Sequence, residues 1–140
     1  MRRQFRLPAD DHLYLEDTGL EWETLVEGGL QWLVIRDRPV ATGYTLERAH
    51  TALQIVPGYP DAEIDMVYFD PPLARRDGVV VRALASRALD GRTWQRWSRH
   101  RTPQNPWRPG IDGVATHLVL VDHWLAREFA RVAARGTCSG

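Results

Sequence analysis

The sequence predicts an α+β domain in which helices pack on an antiparallel sheet. Apolar residues alternate with polar ones over the first half of the chain, and prolines and glycines interrupt that alternation at short intervals. A long stretch near the end repeats its apolar residues at helical spacing. The predicted order is an N-terminal helix, a four-stranded antiparallel meander, a long ordered loop and a C-terminal helix, which is typical of the α+β class.

The first half of the chain supplies the helix and the meander. "LPADDHLYLEDTG" predicts a short helix that Asp10 caps and Gly19 ends. The pair Gly28 and Gly29 between two alternating runs predicts a hairpin. "RAHTALQI" and "IDMVYFDPPL" predict the third and fourth strands, and the prolines of "PGYP" make the turn between them rigid.

The second half differs in kind. Residues 74–109 are interrupted by arginine and proline, so we predict one long ordered loop, because loops of this length in compact domains are usually functional or disordered. Three tryptophans favour order: Trp94, Trp97 and Trp107. "IDGVATHLVLVDHWLAREFARVAARG" then predicts a helix from an N-cap at Asp112 to a stop at Gly136.

Length and composition predict one domain, residues 1–136, with a short tail at 137–140. The chain has 140 residues, 44% of them hydrophobic and 26% charged, which is ordinary for a globular domain. No apolar run approaches the roughly 20 residues that cross a bilayer, and no apolar stretch follows the basic start as a secretory signal requires. We therefore expect a cytoplasmic protein without a membrane partner.

The charge balance argues against a nucleic-acid partner. Eighteen basic and eighteen acidic residues give a formal net charge of zero, whereas non-specific nucleic-acid binding usually draws on a positive excess. The sequence also predicts no cofactor, because it has no glycine-rich phosphate loop and no metal-binding histidine spacing. The single cysteine, Cys138, excludes an internal disulfide and a cysteine-rich zinc site.

Three motifs, in this order, resemble ubiquitin-conjugating enzymes. "VPGYPDAEIDMVYFDPPL" is similar to their turn and fourth strand, "LDGRTWQRWSRHR" to their reactive loop, and "NPWRPGIDGVATHLVLVDHWL" to the stretch that leads into the next helix. They also resemble a prokaryotic branch of that superfamily, over roughly residues 7–130. The resemblance implies a ubiquitin-conjugating fold, a bacterial activating (adenylating) enzyme and a ubiquitin-like modifier as partners, and a metallo-isopeptidase of the same operon.

The sequence departs from the classical enzymes at the reactive residue. In those enzymes a cysteine shortly after a loop glycine carries ubiquitin as a thioester. Aligned on Gly91, that position falls near Thr93, Trp94 and Gln95, and the usual histidine-proline-asparagine motif is also absent. Two interpretations stay open. The chain is an acyl carrier that uses a hydroxyl residue, as some prokaryotic relatives do, or it is an inactive module that docks a ubiquitin-like protein.

Ser98 and His100 are the candidate nucleophile and base. A serine hydroxyl is a poor nucleophile until a base takes its proton, and histidine titrates near neutrality. Residues two apart on an extended segment face the same side. Thr93 is the second hydroxyl candidate, since it is nearer the aligned cysteine position.

Further residues are predicted to assist. Arg99 is the assisting basic residue of the loop, with Arg96 or Arg101 close enough to stabilise an oxyanion, and Asp112 or Asp65 is expected to orient the imidazole. Trp94 and Trp97 are predicted to anchor the loop, and with Asp112 they are the candidates for substrate binding. His117 and His123, six apart on the last helix, are expected at the surface or at a cap.

Overall fold

The described part of the chain folds into two α-helices and a six-stranded antiparallel sheet. The computed structural model describes residues 1–132. Among those residues, neither helix is long and apolar enough to span a bilayer. The elements, in chain order, are α1 Ala9–Asp17, β1 Trp22–Glu27, β2 Leu30–Pro39, β3 Arg48–Ile55, β4 Val67–Asp70, β5 Leu84–Leu89, β6 Arg92–Trp97, α2 Val114–Arg127 and a 3-10 turn Glu128–Ala130.

The strand order across the sheet is β1-β2-β3-β4-β6-β5. The first four strands follow one another as predicted, but the prediction of a long loop after them is wrong. Residues 84–97 form a hairpin that adds two strands, and its second strand pairs with β4. The turn is Asp90 and Gly91, with φ of 54° and 73°, the left-handed pair that a two-residue hairpin turn requires.

The two faces of the sheet are covered differently. On one, which we call the helix face, residues such as Leu53, Phe69 and Trp97 belong to a buried cluster that includes residues of both helices. On the other, which we call the open face, a second buried cluster contains no helix residue. Its members are Leu25, Trp32, Val34, Ala52, Tyr68, Leu89 and Trp94. Because side chains alternate along β6, Trp94 and Trp97 belong to opposite faces.

The C-terminal helix is shorter at both ends than the sequence predicts. Its N-cap is Gly113 rather than Asp112, and it ends at Arg127. Asp112 instead closes the preceding turn, where its carboxylate accepts a 2.7 Å hydrogen bond from the backbone N–H of Arg108. The predicted stop at Gly136 lies outside the described residues.

The first turn of α2 is capped by a side chain from α1. The N-cap of α1 is Pro8, not the predicted Asp10, and it is Asp11 that accepts hydrogen bonds from Val114 N–H (3.2 Å) and from the Tyr59 hydroxyl (2.5 Å). Burial raises the pKa of Asp11 above its ordinary value.

A side chain at the N-cap of α2 would crowd the groups that form the cap. A Cβ on Gly113 would lie 3.0 Å from Asp11 Oδ1 and 3.3 Å from the Tyr59 hydroxyl. The cap therefore joins α1, the turn before β4 and α2 at a single carboxylate.

Replacing Asp11 with alanine should lower the free energy of unfolding by about 1–3 kcal/mol, because it removes a helix cap and leaves the partly buried Tyr59 hydroxyl without its acceptor. Urea unfolding followed by circular dichroism measures the loss. The control is Asp10→Ala, which removes an exposed carboxylate from the same turn. If the two variants lost the same free energy of unfolding, the structural role assigned to Asp11 would be wrong.

Candidate functional site

The predicted site residues meet where β6 ends and β4 begins. The two strands are antiparallel, and Val67 pairs with Trp97. Asp65, which precedes β4, is thereby brought beside the segment that follows β6. The site thus consists of the loop before one strand and the loop after its neighbour, a position that sequence spacing alone does not show.

His100 is paired with Asp65. Its Nδ1 lies 2.8 and 2.9 Å from the two carboxylate oxygens of Asp65. Both side chains remain accessible, with exposed fractions of 60% and 39%. Of the two acids predicted to orient the imidazole, the structure brings Asp65 to it and not Asp112. Within residues 1–132 the second ring nitrogen, Nε2, has no hydrogen-bond partner, so it is available to a substrate.

Ser98 lies half-buried at the end of β6. Its backbone N–H donates a 3.0 Å hydrogen bond to the Ala83 carbonyl and so extends the pairing with β5 by one residue. In the described part of the chain, no hydrogen bond joins the Ser98 hydroxyl to His100. Ser98 and His100 are two residues apart in the sequence, but their side chains are not joined by a hydrogen bond in this structure. Catalytic hydrogen bonds are often long without substrate and tighten when it binds.

Thr93 lies within β6, away from Ser98. Five residues along a strand correspond to about 16 Å, so the two candidate hydroxyls do not share a site. Thr93 is exposed and lines a groove of about 320 Å³ together with Pro72, Ser86 and Gln95. It shares the helix face with Gln95 by strand alternation.

Trp94 and Trp97 are buried, with exposed fractions of 1% and 0%. The Trp94 indole N–H donates to the Leu89 carbonyl at 3.1 Å, and that of Trp97 donates to Gln95 Oε1 at 2.9 Å. This suits the anchoring role expected of them. A role for either ring in substrate binding stays a prediction.

The Arg99 side chain is held by Trp97, by the 3-10 turn and by the segment before β5. Its guanidinium lies 4.9 Å from the Trp97 ring centroid and donates to Glu128 Oε2 (3.3 Å) and to the Arg82 carbonyl (3.0 Å). In this arrangement it fixes the segment that carries Ser98 and His100. Its assistance in catalysis stays a prediction.

Asp112 is buried and already engaged by arginine. Burial raises its pKa, but the side-chain and backbone hydrogen bonds from Arg108 outweigh that effect and hold the pKa below its ordinary value. Arg101 approaches the same carboxylate at 3.9 Å. Asp112 is therefore an ionised turn-closing group, and its predicted part in substrate binding stays untested.

His117 is the residue whose environment the sequence analysis got wrong. It is completely buried rather than at the surface, and its Nε2 lies 2.9 Å from the Met66 carbonyl. Burial lowers the pKa of His117 to about 4. The helical periodicity of the sequence does indicate this burial, since position 117 lies three residues after Val114 and four before Val121, on the apolar side of α2.

Comparison with known proteins identifies a family. A sequence model of the family described as Prokaryotic E2 family E matches residues 7–128. The chain belongs to this family. Searches of curated proteins and of solved structures found no match. Membership of a prokaryotic E2 family suggests a role in a ubiquitin-like conjugation pathway and implies partners such as an activating enzyme and a ubiquitin-like modifier.

The matched residues include the whole site of this prokaryotic E2-family protein. They run from before α1 to the end of α2, so both loops that meet at Asp65 and His100 lie within the match. The one cysteine of the chain, Cys138, lies outside the match and outside the described residues.

His117 should make the protein less stable in mild acid. Because its pKa is lowered in the folded state, the unfolded chain takes up a proton first, and the free energy of unfolding falls as the pH drops from about 6.5 toward 4. At 1.36 kcal/mol per pKa unit, the full loss is roughly 3 kcal/mol. Urea unfolding at several pH values measures it.

The matched variant is His117→Gln, whose amide can still donate to the Met66 carbonyl but does not titrate. Carboxylates act equally in both proteins, so the difference between the two pH profiles isolates the histidine. Parallel profiles between pH 6.5 and 4 would contradict this account.

Proposed function

We propose that this protein is an acyl carrier in a bacterial ubiquitin-like conjugation pathway, and that the Ser98 hydroxyl accepts the C-terminus of the modifier as an oxyester. The observation that supports this most is the Asp65–His100 pair, two residues from Ser98. A carboxylate at Nδ1 fixes the ring tautomer and leaves Nε2 as the base, as in other carboxylate-histidine arrangements.

The transfer would begin with the modifier joined to its activating enzyme through a thioester. The Ser98 oxygen attacks the carbonyl carbon while Nε2 of His100 takes the hydroxyl proton. The carbon–sulfur bond then breaks, and the leaving thiolate takes that proton from the imidazolium. Arg99 contributes by holding the segment in place through Glu128. Thr93, which is exposed but distant from the histidine, is the second candidate acceptor.

The proposed partners are a bacterial activating enzyme and a ubiquitin-like modifier in the cytoplasm. A metallo-isopeptidase encoded in the same operon would reverse the final conjugates. The activating enzyme consumes the ATP, so the carrier itself needs no nucleotide site or cofactor.

A second candidate function is an inactive module that docks the modifier. Two observations favour it. Trp94, near the position aligned with the usual cysteine, is buried in the open-face cluster, and in the described residues no hydrogen bond joins Ser98 to His100. In this case the protein would position a modifier for another enzyme.

Incubation with the activating enzyme, ATP and the modifier should give a covalent adduct that resists reducing agents and is cleaved by hydroxide. Ser98→Ala should abolish it, and His100→Gln should slow its formation roughly 10²-fold, the usual contribution of a general base. Gel electrophoresis with and without thiol measures both.

Thr93→Ala is the matched hydroxyl control and should load normally. If Ser98→Ala still loads and Thr93→Ala does not, Thr93 is the acceptor. If wild-type protein forms no adduct yet binds the modifier with an affinity unchanged in Ser98→Ala, the docking function is the correct one.

A further inference from the structure

Several hydrogen-bond donors on the open face of the sheet have no acceptor among the described residues. Arg96 pairs with Tyr68 of β4 on one side and with Ala85 of β5 on the other. Arg87 lies two residues beyond Ala85 and so shares its face, as a diagonal neighbour of Arg96 about 7–8 Å away between strands. The Arg87 guanidinium lies 5.2 Å from the ring centroid of Trp32.

These donors are unusual in having no partner. Arg87 Nε, Arg96 Nε and Trp32 Nε1 are buried and make no hydrogen bond. Within residues 1–132 neither arginine forms an ion pair and the Tyr68 hydroxyl has no hydrogen-bond partner. Buried polar groups in native proteins are nearly always satisfied, so a group of unpaired donors requires an explanation.

The other arginines of the open face are neutralised. Arg36 donates to Glu23 at 2.5 Å, and Arg92 donates to Asp70. Arg2 also engages Glu23, whose pKa these hydrogen bonds lower to about 2. Among the described residues, these three arginines of the open face each have a carboxylate partner, whereas Arg87 on β5 and Arg96 on β6 have none.

The charges of Arg87 and Arg96 both act on the Tyr68 hydroxyl. Burial raises the pKa of Tyr68, and Arg96 and Arg87 act in the opposite direction, so both guanidinium groups lie within electrostatic reach of its hydroxyl. The acid whose charge acts on Tyr68 is Asp65, and Asp65 is already paired with His100. An oxyanion between the arginines would meet donors from three strands.

We propose that Arg87, Arg96 and Tyr68 form a carboxylate-binding site that docks an acidic segment of a protein partner on the open face. Guanidinium groups bind carboxylates through paired, charge-assisted hydrogen bonds. Stacking on Trp32 holds Arg87 in position before the partner arrives. The face is a sheet surface rather than an enclosed cavity, and β5 is an edge strand, so it suits an extended segment better than a free small anion.

The site does not depend on acyl transfer, so it is tested without the activating enzyme. The probe is a synthetic peptide of alternating glutamate and glycine, titrated into the full chain and followed by amide NMR shifts. Shifts should concentrate on β4, β5 and β6, and the affinity should fall as salt is raised. A peptide with glutamine in place of glutamate should not bind.

Arg87→Gln and Arg96→Gln should each weaken binding about tenfold or more, since each removes a charge-assisted hydrogen bond. Arg96→Lys keeps the charge but loses the paired geometry, so it should give an intermediate affinity. The control is Arg127→Gln, which removes the same charge from an exposed position on α2 and should bind as the wild type does.

Three results would overturn the proposal. One is equal binding by wild type and both glutamine variants, when each variant keeps the wild-type circular dichroism spectrum. Another is the same loss in Arg127→Gln, which would mean that only net charge matters. The third is saturable binding of inorganic phosphate at this site with no binding of the glutamate peptide, which would assign the site to a free anion.

Discussion

The pairing of β6 with β4 decides where every candidate group of this protein lies. Its register sets Trp97 opposite Val67 and therefore brings the residues before β4 beside those after β6. Asp65 and His100 meet for this reason alone. A shift of one residue would turn Trp97 to the open face and exchange Thr93 with Trp94. Trp97 makes edge contacts with the rings of Tyr44 and Phe69 on the helix face, and the loss of these contacts makes such a shift costly.

Arginine side chains stack on tryptophan rings in this protein, and this role accounts in part for the use of arginine rather than lysine. The chain has six tryptophans and no lysine, and four of the tryptophans have a guanidinium over the ring. These pairs are Arg3 on Trp22, Arg87 on Trp32, Arg99 on Trp97 and Arg101 on Trp107. A planar guanidinium stacks on an aromatic face while its stem covers apolar surface, which an ammonium does less well. Among these pairs, Arg87 on Trp32 lies on the open face, in the buried cluster that contains no helix residue.

This use of arginine also explains what the sequence could not predict. The first four strands and most of α2 follow from apolar periodicity, and Asp65 was one of two acids expected near His100. The β5–β6 hairpin was missed because arginines occupy open-face positions where a pattern search expects apolar residues, namely Arg87, Arg92 and Arg96. The Asp90–Gly91 turn was the remaining signal.

Other features depend on tertiary contacts and leave no local signal. Asp112 looked like the cap of α2 because an acid before a helix usually is one, yet the cap comes from Asp11, about one hundred residues earlier in the chain. The burial of His117 depends on the Met66 carbonyl that meets it. Sequence spacing identifies a cap or a surface histidine only when the partner is also local.

Strand alternation relates the candidate nucleophile to the carboxylate-binding site. Ser98 continues the pairing with β5 past the end of β6, so it shares the open face with Arg96, whereas Thr93 shares the helix face with Gln95. The imidazole of His100 lies on Asp65, whose charge reaches Tyr68 of the open face. A partner held by Arg87 and Arg96 would therefore approach Ser98 and not Thr93. The sheet separates the two hydroxyls by face as well as by distance, and Ser98 is the one that lies on the side of the candidate base and of the proposed carboxylate-binding site.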